Sequence, residues 1–215
     1  MIDWKWVKRE LFCREGIARG KNANIAACAQ ICLNAALLLS DPRIISSRIP
    51  KPSGLSRGKL SKYVKGAIFF QGFIVTIGKG VEARASALMS KGMYLEGYMF
   101  DRIGSFAVES LIQNFEDRLR KRYAKRSLSV SRRISPGYCD WPIDGQFELS
   151  KMLSFSKAGV RLTKSCMMIP RKSISAVVGV GPKNAFRSSK HQCSICEKKD
   201  CDYRRGPILT DTKLV

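Results

Sequence analysis

The sequence is poor in histidine and in acidic residues. Its 215 residues include 1 histidine, and 17 Asp and Glu stand against 39 Lys and Arg, for a formal net charge of +22. Because His191 near the C-terminal end is the sole imidazole, a Ser-His-Asp hydrolytic triad is not supported. The excess of positive charge indicates an acidic partner, such as a nucleic acid, a membrane surface or an acidic protein. The alternative is that the basic residues only form a solvated surface.

Signals of several other protein classes are also missing. The longest apolar run, residues 26–39, is interrupted by Gln30 and Asn34 and falls short of the roughly 18 residues of a bilayer-spanning helix. The N-terminus shows no apolar core with a small-residue cleavage site, so we expect a cytoplasmic protein. No aromatic RNA-binding motif, zinc-finger helix or helix-turn-helix pattern accompanies the basic residues. Charge alone therefore does not predict nucleic-acid binding.

The order of the apolar patterns predicts an α+β fold in a single domain. Residues 1–58 are interpreted as an N-terminal helical segment with a Pro- and Gly-rich linker, 59–182 as the main domain, and 183–215 as a basic, Cys-containing tail. The elements expected are a helical region over 5–39 with a break near 16–20, a buried strand over 65–77, helices over 81–90, 101–125 and 144–156, and two strands within 160–180. Those two strands, joined at Pro170, are predicted to pair antiparallel.

The stretch RRISPGYCDWP, residues 132–142, is the first candidate binding segment. Guanidinium groups recognise carboxylates and phosphates through two parallel hydrogen bonds. A Pro136-Gly137 turn would expose backbone N–H groups, and Tyr138 adds a stacking face with a hydroxyl, which together suit an amino-acid-like zwitterion. The alternative is a surface loop whose Tyr and Trp fill the core, since Arg and Pro-Gly are common in loops. The residues alone leave both open.

The stretch Thr76 to Gly80, TIGKG, follows the buried strand and could approach a phosphate. It lacks the third glycine of a dinucleotide-binding fingerprint and the Gly-Lys-Ser/Thr ending of a phosphate-binding loop. We interpret it as a strand-to-helix turn.

A cysteine cluster near the C-terminal end is the candidate metal site. Cys193, Cys196 and Cys201 lie within nine residues and could bind Zn²⁺ or an iron–sulfur cluster, both of which take four ligands. Cys166, Cys139 or His191 could be the fourth. The alternative is a set of unliganded thiols on a basic tail.

Several motifs, in the same order along the chain, resemble the activation (reactivation) domain of vitamin B12-dependent methionine synthase. That family's signature, Arg-x-x-x-Gly-Tyr, reads here Arg133 to Tyr138. The segment Leu162 to Ser175 is similar to the family's later block, and residues 76–82 and 101–109 are similar to its short free-standing members. The similarity extends over about residues 60–182.

The resemblance implies a curved antiparallel sheet with flanking helices that binds S-adenosylmethionine in a shallow groove. It implies that Arg133 grips the methionine carboxylate and that Tyr138 packs near the sulfonium. Ser135 and Gly137 are implied to give backbone contacts, and the implied cofactor-binding set is completed by Ser105 and Glu109. The resemblance thus favours the ligand-binding interpretation of residues 132–142.

The function implied is reductive remethylation of a cobalamin presented by a separate methionine synthase or corrinoid methyltransferase. The chain has no cobalamin-binding Asp-x-His-x-x-Gly motif, so we expect an activation protein that is not a complete methionine synthase. The expected partners are a corrinoid protein and a flavodoxin or ferredoxin electron donor. The cysteine cluster adds a secondary hypothesis, separate from the resemblance, in which a metal or iron–sulfur centre relays the electron to cobalt. The alternative from another class is a non-catalytic basic interaction module on the same fold, possibly binding nucleic acid.

Overall fold

The computed structural model describes residues 1–17, 22–56 and 58–186, and these residues form two compact units. The first unit comprises Met1–Ile45, Ile74–Arg118 and Ser154–Ile174. The second comprises 46–73, 119–153 and 175–186. Each unit is assembled from three separate stretches of chain, so residues far apart in sequence contribute to the same core.

Five α-helices lie in the described part of the chain: α1 (Trp4–Arg14), α2 (Ala23–Leu39), α3 (Gly80–Met89), α4 (Tyr94–Ala124) and α5 (Gly145–Met152). The helix predicted over 101–125 starts seven residues earlier, at Tyr94. The Asp3 side chain caps α1 by accepting a hydrogen bond from the Trp6 N–H (3.0 Å), and Asn22 caps α2 in the same way. No described helix combines the length and the apolar character required to cross a membrane.

In the described part of the chain, four strands form an antiparallel sheet: β1 (Arg43–Ile49), β2 (Phe69–Thr76), β3 (Leu128–Val130) and β6 (Ser173–Pro182). Their order in the sheet is β1-β2-β6-β3. β2 and β6 occupy the two inner positions and are buried at nearly every residue, which explains why their sequences are continuously apolar and do not alternate. The predicted α+β class with an antiparallel sheet and the predicted buried strand within 65–77 are both confirmed.

The predicted pairing of the two strands within 160–180 is wrong. Instead, β4 (Arg161–Leu162) pairs with β5 (Met168–Ile169), and β6 pairs with β3 in the main sheet. A tight turn closes the short pair, because the Thr163 N–H donates to the Met167 carbonyl (2.9 Å) and the Cys166 N–H donates to the Thr163 carbonyl (3.0 Å). Polar turn residues inside the apolar segment therefore end one strand and start another.

Two strands of the sheet were not predicted. β1 lies within the stretch 1–58 that was interpreted as helix and linker, and β3 lies between the basic end of α4 and residue 132. Both are at the edges of the sheet and carry exposed or half-buried side chains, such as Ser46, Arg48 and Ser129. Their sequences lack the apolar run that marks an inner strand. The three-part division of the sequence at residues 58 and 182 stays a prediction.

Candidate functional site

The segment 132–142 follows β3 and begins with main-chain bonds to β6. The Ile134 N–H donates to the Val177 carbonyl and the Val177 N–H donates to the Ile134 carbonyl, both at 2.8 Å. Ser131, directly ahead, donates its N–H to the Gly179 carbonyl, and its Oγ accepts from the Gly179 N–H, again at 2.8 Å. Inner strand β6 therefore sets the position of the residues on both sides of Arg132 and Arg133.

Beyond Ile134 the chain forms a turn that its own sequence specifies. The Tyr138 N–H donates to the Ser135 carbonyl (3.3 Å), and Gly137 has φ +89°. Proline at the second position and a positive-φ glycine at the third define a type II turn. The expectation that this turn exposes its N–H groups is corrected for Gly137, whose N–H donates to the Trp141 carbonyl at 2.8 Å.

The two arginines of the segment have different environments. Arg132 is buried, and its guanidinium carbon lies 5.8 Å from the centroid of the Tyr63 ring. Burial lowers the pKa of the Arg132 guanidinium from its ordinary value, and the interaction with Tyr63 partly offsets this effect. Arg133 is half-buried, which leaves part of its side chain accessible. Arg132 is thus more deeply buried than Arg133, part of which is accessible to solvent.

The two aromatic residues of the segment also differ. Tyr138 is 45% exposed, whereas Trp141 is 1% exposed and belongs to the core. A side chain on Gly54 or on Gly145 would collide with the indole ring of Trp141, so these glycines permit close packing on the ring. The Trp141 Nε1–H has no hydrogen-bond partner among the described residues. The interpretation that the aromatic residues fill the core therefore holds for Trp141 and not for Tyr138.

Asp140 connects the segment to the chain ahead of β2. Its Oδ1 accepts a hydrogen bond from the Leu60 N–H (3.3 Å), at the start of a 3-10 helix. Gly58 has φ +77°, and a side chain there would collide with the Asp140 carboxylate. Glycine is required at this point both by backbone conformation and by the close approach of the carboxylate.

Ser105 and Glu109 lie on α4 in the first unit, whereas residues 133–138 lie in the second. The Ser105 Oγ donates to the Asp101 carbonyl (3.1 Å) and accepts from Lys172 Nζ (2.9 Å). The same Nζ lies 2.7 Å from Asp101 Oδ1. The Ser105 hydroxyl thus has internal partners for both its donor and its acceptor functions. Ligand roles for Ser105 and Glu109 stay predictions.

The stretch Thr76 to Gly80 is a strand-to-helix turn, as interpreted from the sequence. The Gly78 N–H donates to the Thr76 hydroxyl (3.1 Å), and Gly78 has φ +76°. A side chain on Gly80 would collide with the Leu39 carbonyl oxygen. The glycines therefore serve turn formation and close packing. Nearby, Glu82 accepts from the backbone N–H of Arg171 (2.7 Å) and from its Nε (2.8 Å).

The candidate metal ligands fall into two groups. Cys193, Cys196 and Cys201, together with His191, lie outside the described residues. Cys166 is buried in the turn between β4 and β5, with φ +64°. Within the described residues, no group of three or more His, Cys, Asp or Glu side chains is placed to hold a metal ion. Cys166 therefore has no such set of ligands within this part of the chain.

One functional candidate was missed by the sequence reasoning. Arg120, near the end of α4, donates Nη1–H to the Val130 carbonyl (2.7 Å) and Nη2–H to the Ser131 carbonyl (3.0 Å). It was concealed in the basic run 118–133, where each arginine has the same sequence context. Its spacing from Val130 gives no signal, because the connection depends on how the chain turns back after α4.

The sequence profile described as "Vitamin B12 dependent methionine synthase, activation domain" matches residues 60–205. The match covers more than half of the chain, which therefore belongs to this family.

Among solved structures, the chain is similar to one titled "Crystal Structure of the MetH Reactivation Domain bound to AdoHcy". The similarity has a TM-score of 0.57 and 16% sequence identity, and covers 77% of this chain and 67% of that chain. At this identity the likeness establishes the fold. No curated protein matched the sequence.

Proposed function

We propose that the chain binds S-adenosylmethionine and supports the reductive remethylation of a cobalamin carried by a separate methionine synthase or corrinoid methyltransferase. Family membership gives the activation role in outline. The observation that carries the finer proposal is the segment Arg133 to Tyr138, in which a half-buried arginine and a 45%-exposed tyrosine flank a closed type II turn.

The residues of this segment fit a zwitterionic, sulfonium-bearing ligand. The guanidinium of Arg133 suits a carboxylate, to which it can donate two parallel hydrogen bonds. The Tyr138 ring offers a face to a cation, an attraction of about 0.5–2 kcal/mol. Ser135 and Gly137 are proposed to contribute backbone contacts, through the carbonyl in the case of Gly137, whose N–H donates to the Trp141 carbonyl. Because the turn is closed by its own hydrogen bonds, little ordering would accompany binding.

S-adenosylmethionine, when bound, supplies an electrophilic methyl group that a one-electron-reduced cobalamin can accept, leaving S-adenosylhomocysteine. The chain's own part is to hold the methionine moiety and orient the sulfonium. The cobalamin is proposed to come with the corrinoid partner, and the electron from a flavodoxin or ferredoxin. Surplus positive charge in the second unit would attract an acidic partner of this kind.

Calorimetry tests the proposal directly. Titrating the full chain with S-adenosylmethionine should give saturable binding, and Arg133→Ala should weaken it about 10- to 100-fold, the range for a charged hydrogen bond. The matched control is Arg126→Ala, which removes an exposed arginine of the same charge. Absence of binding by the unmodified chain, or equal losses in both variants, would overturn the proposal.

The second candidate is a basic interaction module that binds nucleic acid, and charge favours it. Stretches 46–73, 119–153 and 175–186 hold 15 Lys and Arg but 3 Asp and Glu. Fluorescence anisotropy with a labelled oligonucleotide distinguishes the two. Steeply salt-dependent binding of the oligonucleotide, together with no binding of S-adenosylmethionine, would favour the nucleic-acid-binding module.

The cysteine cluster, Cys193, Cys196 and Cys201 with Cys166, is retained as a proposed zinc or iron–sulfur site. Metal analysis and the absorbance near 400 nm of anaerobically purified protein test it. A colourless protein that contains neither iron nor zinc would contradict it. The cytoplasmic location is likewise a prediction, tested by cell fractionation.

A further inference from the structure

Arg120 holds the chain directly ahead of the Arg133–Tyr138 segment. Its two terminal nitrogens donate to consecutive carbonyl oxygens, those of Val130 (2.7 Å) and Ser131 (3.0 Å). A planar guanidinium can make both bonds from one fixed orientation, whereas the ammonium of lysine is a single point donor. Arg120 therefore binds the backbone at two points, two and three residues before Arg133.

The gripped backbone is also bound to the inner strand β6. Ser131 exchanges hydrogen bonds with Gly179 through its N–H and its Oγ, each at 2.8 Å. The Ser131 hydroxyl in turn donates to the carbonyl of Arg132, also at 2.8 Å. Thus β6 contacts the N–H and the side chain of Ser131, and Arg120 contacts the carbonyl of Ser131. Together these bonds leave residue 131 little freedom to rotate.

We infer that Arg120 is a positioning residue for the proposed S-adenosylmethionine site, acting on Arg133 through the backbone of Val130 and Ser131. This inference rests on the proposed function. A binding arginine is effective only if its Cα is held in place, since otherwise ligand binding must also order the chain. Arg120 supplies that restraint from α4, an element distinct from the turn itself.

The inference is tested by calorimetric titration of the full chain with S-adenosylhomocysteine. Arg120→Ala should weaken binding about 10-fold, and Arg120→Lys should lose most of the same affinity because it keeps the charge but not the fork. The matched control, Arg122→Ala, removes the same charge from an exposed position two residues further along α4. It should bind as the unmodified chain does.

A double variant separates positioning from general weakening. In an Arg133→Ala background the residue to be positioned is gone, so adding Arg120→Ala should cost less than about 3-fold. Full additivity of the two losses, an unchanged affinity in Arg120→Ala, or an equal loss in Arg122→Ala would overturn the inference. Circular dichroism of each variant checks folding, and Arg120→Lys serves if Arg120→Ala does not fold.

Hydrogen exchange separates a failure of this inference from a failure of the proposed function. If the unmodified chain binds neither S-adenosylmethionine nor S-adenosylhomocysteine, the proposed function fails. The positioning of the segment is then judged by exchange of the Ser131 and Ile134 amides, which donate to β6. Arg120→Ala should accelerate both at least 10-fold over Arg122→Ala, and unchanged exchange would overturn the inference.

Discussion

The two compact units use charge in different ways. The first unit has 17 Lys and Arg with 10 Asp and Glu, whereas 46–73, 119–153 and 175–186 of the second have 15 with 3. Ion pairs among the described residues join side chains within the first unit, for example Arg14–Glu10, Arg43–Asp41, Arg102–Glu15, Arg171–Glu82 and Lys172–Asp101. In the second unit, carboxylates are too few to balance the cations.

Several arginines of the second unit contact backbone carbonyls and aromatic rings. Arg120 grips two carbonyls, Arg132 lies over Tyr63, and the Arg48 guanidinium lies 4.3 Å from the centroid of Phe69. Phe69 in turn meets Tyr123 edge to face, with ring centroids 5.7 Å apart. Because 15 Lys and Arg stand against 3 Asp and Glu in these stretches, the second unit keeps a surplus of positive charge, whose field is available to an anionic ligand or partner.

The largest expected effect concerns packing in the second unit. Trp141→Ala should lower the free energy of unfolding by about 3–5 kcal/mol, as expected for a buried aromatic side chain. Tyr138→Ala, at a 45%-exposed position, should cost less than about 1 kcal/mol. Urea denaturation measures both. Equal costs would contradict the assignment of Trp141 to the core and Tyr138 to the surface.

The next effect concerns the ion pairs of the first unit. Lys172→Ala removes the partner of Asp101 and Ser105, and the Lys172 side chain is 11% exposed. The free energy of unfolding should fall by about 1–2 kcal/mol, since partly buried charged hydrogen bonds contribute more to stability than surface ion pairs do. Lys164→Ala, at an exposed position, is the control. A loss no larger than the control's would show that this pairing is unimportant for stability.

A smaller effect concerns repulsion among the cations of the second unit. Lys51→Glu combined with Lys183→Glu reverses two exposed charges and should stabilise the chain by a few tenths of a kcal/mol at low salt. The gain should vanish at 0.5–1 M salt, where the Debye length is only a few Å. Lys164→Glu, in the better balanced first unit, should gain less. Thermal melts across a salt series provide the test.

The smallest effect concerns Cys32 in the first unit. Burial, followed by the neighbouring Cys28, raises the pKa of the Cys32 thiol to about 12 from its ordinary 9.0. Between pH 9 and about 12 the native state therefore keeps the thiol proton that the unfolded state releases. The contribution of the protonated Cys32 to the free energy of unfolding is fully present below pH 9 and is lost as the pH rises through about 12. At pH 8, mass spectrometry after brief alkylation should find exposed Cys139 modified well before Cys32.

Sequence patterns predicted the helices and the inner strand β2 because apolar periodicity records burial directly. They missed two edge strands: β1, whose side chains are mostly exposed or half-buried, and β3, which has only three residues, two of them half-buried. They also gave β6 the wrong partner, because strand pairing depends on the whole sheet. At the site, the Pro136-Gly137 turn was specified locally by its residue types. The sequence did not predict that Arg132 is more buried than Arg133, because this depends on the contact of Arg132 with Tyr63. It also did not predict that Trp141 is more buried than Tyr138, because the Trp141 ring packs against Gly54 and Gly145.

Ligand binding by the Arg133–Tyr138 segment is tested most directly by amide NMR of the full chain during titration with S-adenosylhomocysteine. We expect the largest chemical-shift changes on the amides of residues 133–138, and we expect these changes to be lost in Arg133→Ala. Shifts concentrated elsewhere, or none at saturating ligand, would contradict a binding role for the Arg133–Tyr138 segment.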